Sequence, residues 1–235
     1  MILDILKYLF FDIKNIIRTG LGLEPDHLYE NIDRYHSYQE NFIRLCPEKG
    51  MIVDIGSGNY PFPKATVLAD KFTGVNVHRT NKLVRDDRDF IILDIEYMPF
   101  KDKSIDYLYC SHILEHVNDP KRACQEIIRV AKAGYIETPT FMKDALFAWA
   151  KGMHKWYTVV IDNKIVFFEY TKRQLEGVRS DYWKWSILSQ HTHLNQEIFF
   201  PNQDIFNSIL EWKGSFEVEV FRLKESIKPE RETGN

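Results

Sequence analysis

The chain has 235 residues, 44% hydrophobic and 28% charged, with a formal net charge of −3. That length supports one large domain with a substantial core, and the charge supplies no positive field to gather nucleic acid or anionic lipid. Three cysteines, Cys46, Cys110 and Cys124, form no CxxC pair, which argues against a disulfide framework or zinc knuckle and fits a reducing, cytoplasmic compartment.

Residues 1–48 read as an N-terminal helical segment. Ile2, Leu6, Leu9, Ile13, Ile16 and Ile17 recur at helical spacing, while Asp4, Lys7, Asp12 and Lys14 interrupt the run. The stretch is too broken for a membrane span and lacks the features of a signal peptide. Its apolar face is expected to cover the main domain or a homodimer partner, with weak membrane contact as the alternative.

From residue 49 to 140, short apolar runs alternate with helical segments. Strands are expected at 51–56, 65–70, 89–95, 104–111 and 133–139, and "NDPKRACQEIIRVAK" between the last two reads as a helix. Asn118 or Asp119 is its N-cap and Pro120 lies in its first turn. Near-continuous apolar strands suit a sheet covered on both faces, so the layout is α/β and doubly wound.

After Pro139 the texture changes. Residues 141–200 form an aromatic cap, with β-prone runs at 155–170 around the turn signal Asp162-Asn163-Lys164. Residues 201–223 read as a final helix, 202–212, and a final strand, 215–223. A charged, flexible tail occupies 224–235. Aromatics make up 14% of the chain and crowd into 141–221, as core or as pocket walls. Nothing suggests a second domain, so 1–235 is read as one.

"VDIGSGNYP" ends the first strand. Gly56 and Gly58 permit a tight turn and close approach of a ligand to backbone N–H groups. Asp70 ends the second strand, where a carboxylate can accept the hydroxyls of a ribose, and Asp94 ends the third. All fall at carboxyl ends of strands, where open α/β sheets bind ligands. Position 61 is Pro, so no G-x-G-x-x-G is completed, and no P-loop lysine follows.

Together with "LDIEYMPFKDKSIDYLYCSHILEHVNDPKRACQEIIRVAKAGYIETP", this turn resembles the class I S-adenosylmethionine-dependent methyltransferases, in the broad branch that carries the LEHV.DP motif. The resemblance covers roughly residues 50–140. It implies a mostly parallel seven-stranded Rossmann-like sheet and S-adenosylmethionine as cofactor. Asp54, Gly56 and Gly58 would cradle the methionine part, Asp70 the ribose, and Asp94 the adenine amine with Ile95 against the ring. Ser111 and His112 would face the sulfonium and the acceptor. The turn "AKAGYIETP" departs from the usual K-P-G-G.

"SHILEHV" places His112, Glu115 and His116 on one face of a helical turn. Two subfamilies, the ubiquinone-pathway catechol O-methyltransferases and the small-RNA 3′-end 2′-O-methyltransferases, carry Glu-x-x-Glu-His here and resemble a divalent-metal site. On that pattern His112, Glu115 and His116 are metal ligands, with a further one from His154, His191 or His193. Without metal, His112 or His116 is the general base, and either residue is a catalytic candidate. Such a base favours an oxygen acceptor, so the expected reaction is O-methylation of a sugar or glycan hydroxyl or a phenol. His154, Trp156, Tyr157 and Trp183 are the candidate acceptor-binding residues, with Tyr182 and Trp185 as further stacking faces. Two other functions compete. An RNA-end 2′-O-methyltransferase has only the metal-like triad in its favour, against a negative net charge. A non-catalytic methyltransferase-like subunit conflicts with the intact Gly56, Gly58, Asp70 and Asp94.

Overall fold

Apolar runs without alternation are buried on both faces only inside a covered sheet, and these runs take that place. The structure, a computed structural model, describes residues 2–23, 39–74, 82–147, 153–175 and 202–223. β1 (Ile52–Ile55), β2 (Val67–Asp70), β3 (Asp89–Ile92), β4 (Tyr107–Ser111) and β5 (Ala133–Pro139) form a parallel sheet in the order β3-β2-β1-β4-β5. Every residue of β1, β2 and β5 is buried. The order reverses between β1 and β4, which opens a crevice at their carboxyl ends.

The helix between β4 and β5, α2 (Pro120–Val130), starts as its sequence dictates. Asp119 caps it by accepting from Arg122 N, with Pro120 in the first turn. Ala123, Cys124, Ile127 and Val130 are buried against the sheet. The N-terminal helix α1 (Ile2–Gly20) also forms as expected. Its apolar residues Leu6, Leu9, Phe10, Ile13 and Ile17 are exposed, so they do not cover the main sheet. No described helix is long and apolar enough to cross a membrane.

Beyond β5 comes α3 (Phe141–Phe147), then a hairpin of β6 (Trp156–Ile161) and β7 (Lys164–Glu169), closed by Asp162 in the left-handed region at φ 53°. Two short helices, α4 (Lys172–Leu175) and α5 (Gln203–Phe206), are followed by β8 (Asn207–Lys213) and β9 (Glu217–Phe221).

Three expectations need correction. The main sheet has six strands among the described residues, not seven. β9 joins the hairpin instead, parallel to β7, with Val218 and Val220 against the core and Glu217 and Glu219 beside Lys164. The helix expected over 202–212 is only one turn of α5, because Ser208, Leu210 and Trp212 alternate inward as β8, antiparallel to β5. Trp156 is not a stacking face for an acceptor. It is 1% exposed, its indole N–H donates to Val117 O at 2.8 Å, and its ring meets Phe167 edge-on. Trp156 and Phe167 belong to one core with Ile55, Leu108, Ile136 and Trp212, so the two sheets share their interior.

Candidate active site

The turn after β1 is fixed against β2, with Gly56 N and Ser57 N both donating to Ala69 O, at 2.7 and 3.0 Å. Gly56 and Gly58 have φ of 76° and 51°, where a side chain is strained. A Cβ on Gly56 would also stand 2.0 Å from Cδ1 of Ile113. Asp70 turns toward this loop. It accepts from Gly58 N at 3.3 Å and from Phe72 N at 2.8 Å. Asp94 accepts from Lys71 Nζ at 2.7 Å and Glu96 N at 3.0 Å. Burial opposes ionisation of Asp94, but these donors hold its carboxyl below the ordinary range. Ile95 lies beside it in the core.

Asp54 lies beneath the turn, buried, and accepts from Phe62 N at 2.8 Å. Burial pushes its carboxyl up to about 7, against the Phe62 hydrogen bond and the charge of Arg88. Above it, Ser57 Oγ and Asn59 Nδ2 are buried without a hydrogen-bond partner. A glycine turn with orphaned polar groups, next to Asp70 and Asp94, fits a ligand with a polar amino-acid end, ribose hydroxyls and a base. S-adenosylmethionine is such a ligand.

The turn after β4 carries the second cluster. His112 has φ 57°, unusual for a residue with a side chain, and its backbone N donates to Glu137 O at 2.8 Å. Its ring bridges two buried carboxylates, with Nδ1 3.4 Å from Glu115 Oε1 and Nε2 3.3 Å from Glu137 Oε1. Lys143 Nζ, from α3, lies 3.4 Å from the same Nε2 and donates to Asn207 Oδ1 at 2.6 Å. Burial and Lys143 push His112 down, yet the two carboxylates outweigh them and hold the imidazole above its ordinary value. Lys143 is pushed down to about 8 by burial, against the attraction of Glu137, Glu115 and Asp144. Glu115 stays ionised. Burial alone would raise its pKa, but His116, His112 and His154 hold it at about 2.

His116 and His154 close around Glu115 from the other side. His116 Nε2 is 3.7 Å from Glu115 Oε1, and the two imidazoles meet edge to face with centroids 4.8 Å apart. Glu115, His116 and His154 each offer a ligand atom within 4.8 Å of the others. His154, one of the further candidates from the sequence, joins Glu115 and His116 in this group, and His112 lies outside it. Ser111 is at the end of β4 beside Glu137. Tyr157 stacks on Phe168 and walls an open groove of about 770 Å³ with Phe141, Met142 and Asn207. Trp183, with Tyr182, Trp185, His191 and His193, lies outside the described residues.

Sequence reasoning missed Glu137, Lys143, Asp144 and Asn207. Glu137 had a signal, a lone carboxylate in a strand otherwise fit for full burial. The other three sit in segments whose pattern says nothing about what they face.

This crevice is laid out like that of a class I S-adenosylmethionine-dependent methyltransferase core. Residues 53–136 match the family model described as a methyltransferase domain. The demethylmenaquinone methyltransferase of Renibacterium salmoninarum is 37% identical over 81 residues, 34% of each chain. The chain therefore spans about a third of the length of that curated relative. Solved structures similar to this chain include an S-adenosylmethionine-dependent methyltransferase from Archaeoglobus fulgidus, 22% identical, with TM-score 0.36, covering 47% of this chain and 54% of that one. The 4+2 cyclase SpnF is 14% identical with TM-score 0.41, covering 89% and 96%.

Proposed function

We propose that the chain transfers a methyl group from S-adenosylmethionine to an oxygen of a small polar acceptor, a sugar or glycan hydroxyl or a phenol. The observation that carries this reading is the meeting of two clusters at the carboxyl ends of the central strands. The glycine turn with Asp70 lies at the ends of β1 and β2, and His112, Glu115 and His116 follow β4.

The cofactor supplies an electrophilic methyl group with its leaving group built in. What remains for the chain is alignment, worth up to ~7–11 kcal/mol in favourable cases, and removal of the acceptor's proton. Gly56, Gly58 and Asp70 hold the donor. The imidazole of His112, held between two buried carboxylates, provides the place where an acceptor proton is taken. Asn207 lines the open groove and contacts Lys143, which contacts His112, so the groove is the approach for the acceptor.

Calorimetry tests the cofactor half. Asp70→Ala should weaken S-adenosylmethionine binding roughly 10- to 100-fold, the loss of a charged hydrogen-bonding group, in a variant still folded by circular dichroism. No binding to the wild type, or equal binding by the variant, would end this reading. A methyl-labelled donor offered with sugars, phenols, a demethylmenaquinone-type quinol and RNA ends tests the acceptor half. The quinol is included because the Renibacterium relative carries demethylmenaquinone in its name. Labelling of RNA ends alone would replace the small acceptor.

A further inference from the structure

Two carboxylate oxygens around the site are left over, Glu115 Oε2 and, behind His154, Asp144 Oδ1. Glu115 is 1% exposed, and its Oε2 is buried without a hydrogen-bond partner. A buried carboxylate oxygen with no hydrogen-bond partner destabilises the fold, so its retention calls for an explanation, a bound ion among them.

The two neighbouring rings are held in the manner of metal ligands. His116 Nδ1 is 3.1 Å from Met153 O, which can only accept, so the proton of the neutral ring sits on Nδ1 and the lone pair on Nε2. His154 Nδ1 is 2.8 Å from Asp144 Oδ2, a buried carboxylate oxygen that also accepts from Tyr170 OH at 2.7 Å. That bond likewise leaves the lone pair of His154 on Nε2. Fixing the tautomer through the far nitrogen is how ligating histidines are oriented.

The backbone holds the three residues in place as well. Glu115 and His116 come from the turn after β4, and His154 from the entry to β6. Lys155 N and Trp156 N donate to Glu115 O at 2.8 and 3.3 Å, so the two segments are tied at the cluster itself.

We infer that Glu115, His116 and His154 bind one divalent transition-metal ion of the zinc, cobalt or manganese class, with a coordination position left for water or an acceptor oxygen. Two imidazoles and one carboxylate suit such an ion, whereas magnesium and calcium demand oxygen ligands. Bonds of ~2.0–2.2 Å place neighbouring ligand atoms roughly 3–3.5 Å apart. The present spread of up to 4.8 Å closes to that by small side-chain rotations. His112 stays outside the set, its ring engaged with Glu115 Oε1 and Glu137 Oε1. The role of the ion rests on the proposed transfer to oxygen. A hydroxyl bound to it loses its proton more readily, as metal-bound water does.

The experiment titrates cobalt(II) into the full chain after chelator treatment and desalting, without cofactor or acceptor, and reads calorimetry and visible d–d absorption. A failure of methyl transfer therefore leaves this result standing. One equivalent should bind with d–d bands. His116→Ala and His154→Ala should each weaken binding at least tenfold, and Asp144→Asn roughly 10- to 100-fold through loss of the orienting carboxylate. His112→Ala should retain binding. Far-ultraviolet circular dichroism establishes that each variant is folded, and Asp144→Asn, which keeps shape, carries the test if an alanine variant is not. Absence of stoichiometric binding, binding unchanged in both His154→Ala and Asp144→Asn, or binding lost only in His112→Ala would overturn the inference.

Discussion

At the scale of single residues, Asp54 shows how the turn loads the fold. Its carboxyl titrates at about 7 in the folded chain because burial disfavours the charge, against an ordinary value near 3.8 when unfolded. Below pH ~4 both states hold the proton and nothing is lost. Between ~4 and ~7 the folded state binds a proton that the unfolded state has released, so stability falls as pH rises. Above ~7 the full penalty applies, on the order of 1–4 kcal/mol. Asp54→Asn keeps an oxygen for Phe62 N and removes the charge. The variant's melting temperature relative to wild type should therefore rise from pH 5 to pH 8. A difference that stays constant with pH would show that Asp54 carries no such load. The turn itself was legible, because Gly56 and Gly58 take the positive φ that favours glycine and Asp70 stands at the end of the neighbouring strand. That Asp54 would be buried beneath the turn, accepting from Phe62 N, has no signal in the sequence.

Among elements, periodicity served where burial is two-sided and failed where strands compete for edges. The five parallel strands and α2 follow from apolar runs and from the Asp119-Pro120 start. "NQDIFNSILEW" has apolar residues at spacings that a helix or a strand can use. Only the open edge of β5 decides for β8, and no local rule reports that edge. Trp156 was ambiguous in the same way, because an aromatic at a strand start can be wall or core. The structure makes it core, on Phe167 and bonded to Val117 O. Trp156→Ala should thus cost about 3–5 kcal/mol, read as a lower denaturant midpoint. A wild-type midpoint with a raised acceptor KM would instead return Trp156 to the acceptor site.

At the scale of the molecule, the segment before β1 reaches the turn after β4 through a buried polar chain. Gln39 accepts from Tyr109 OH at 2.7 Å and donates to Glu137 Oε2 at 3.3 Å, across a separation of 98 residues. Glu137 also accepts from Tyr135 OH, and its other oxygen faces His112. A second tie runs from Arg44 N, Leu45 N and Tyr107 OH to Glu211 on β8, so the segment is held at two points. Gln39 thus fixes one side of the carboxylate whose other side orients His112, while touching neither the glycine turn nor Asp70. Removing it leaves Tyr109 OH without this acceptor, at a cost of about 1–3 kcal/mol. Gln39→Ala should lower the melting temperature and reduce kcat, while S-adenosylmethionine affinity stays near wild type. The Gln39→Glu variant retains an acceptor for Tyr109 but sets a second carboxylate against Glu137, so it should lose kcat as well. Unchanged turnover in both variants, assayed well below their melting temperatures, would mean that Glu137 orients His112 without help from the N-terminal segment.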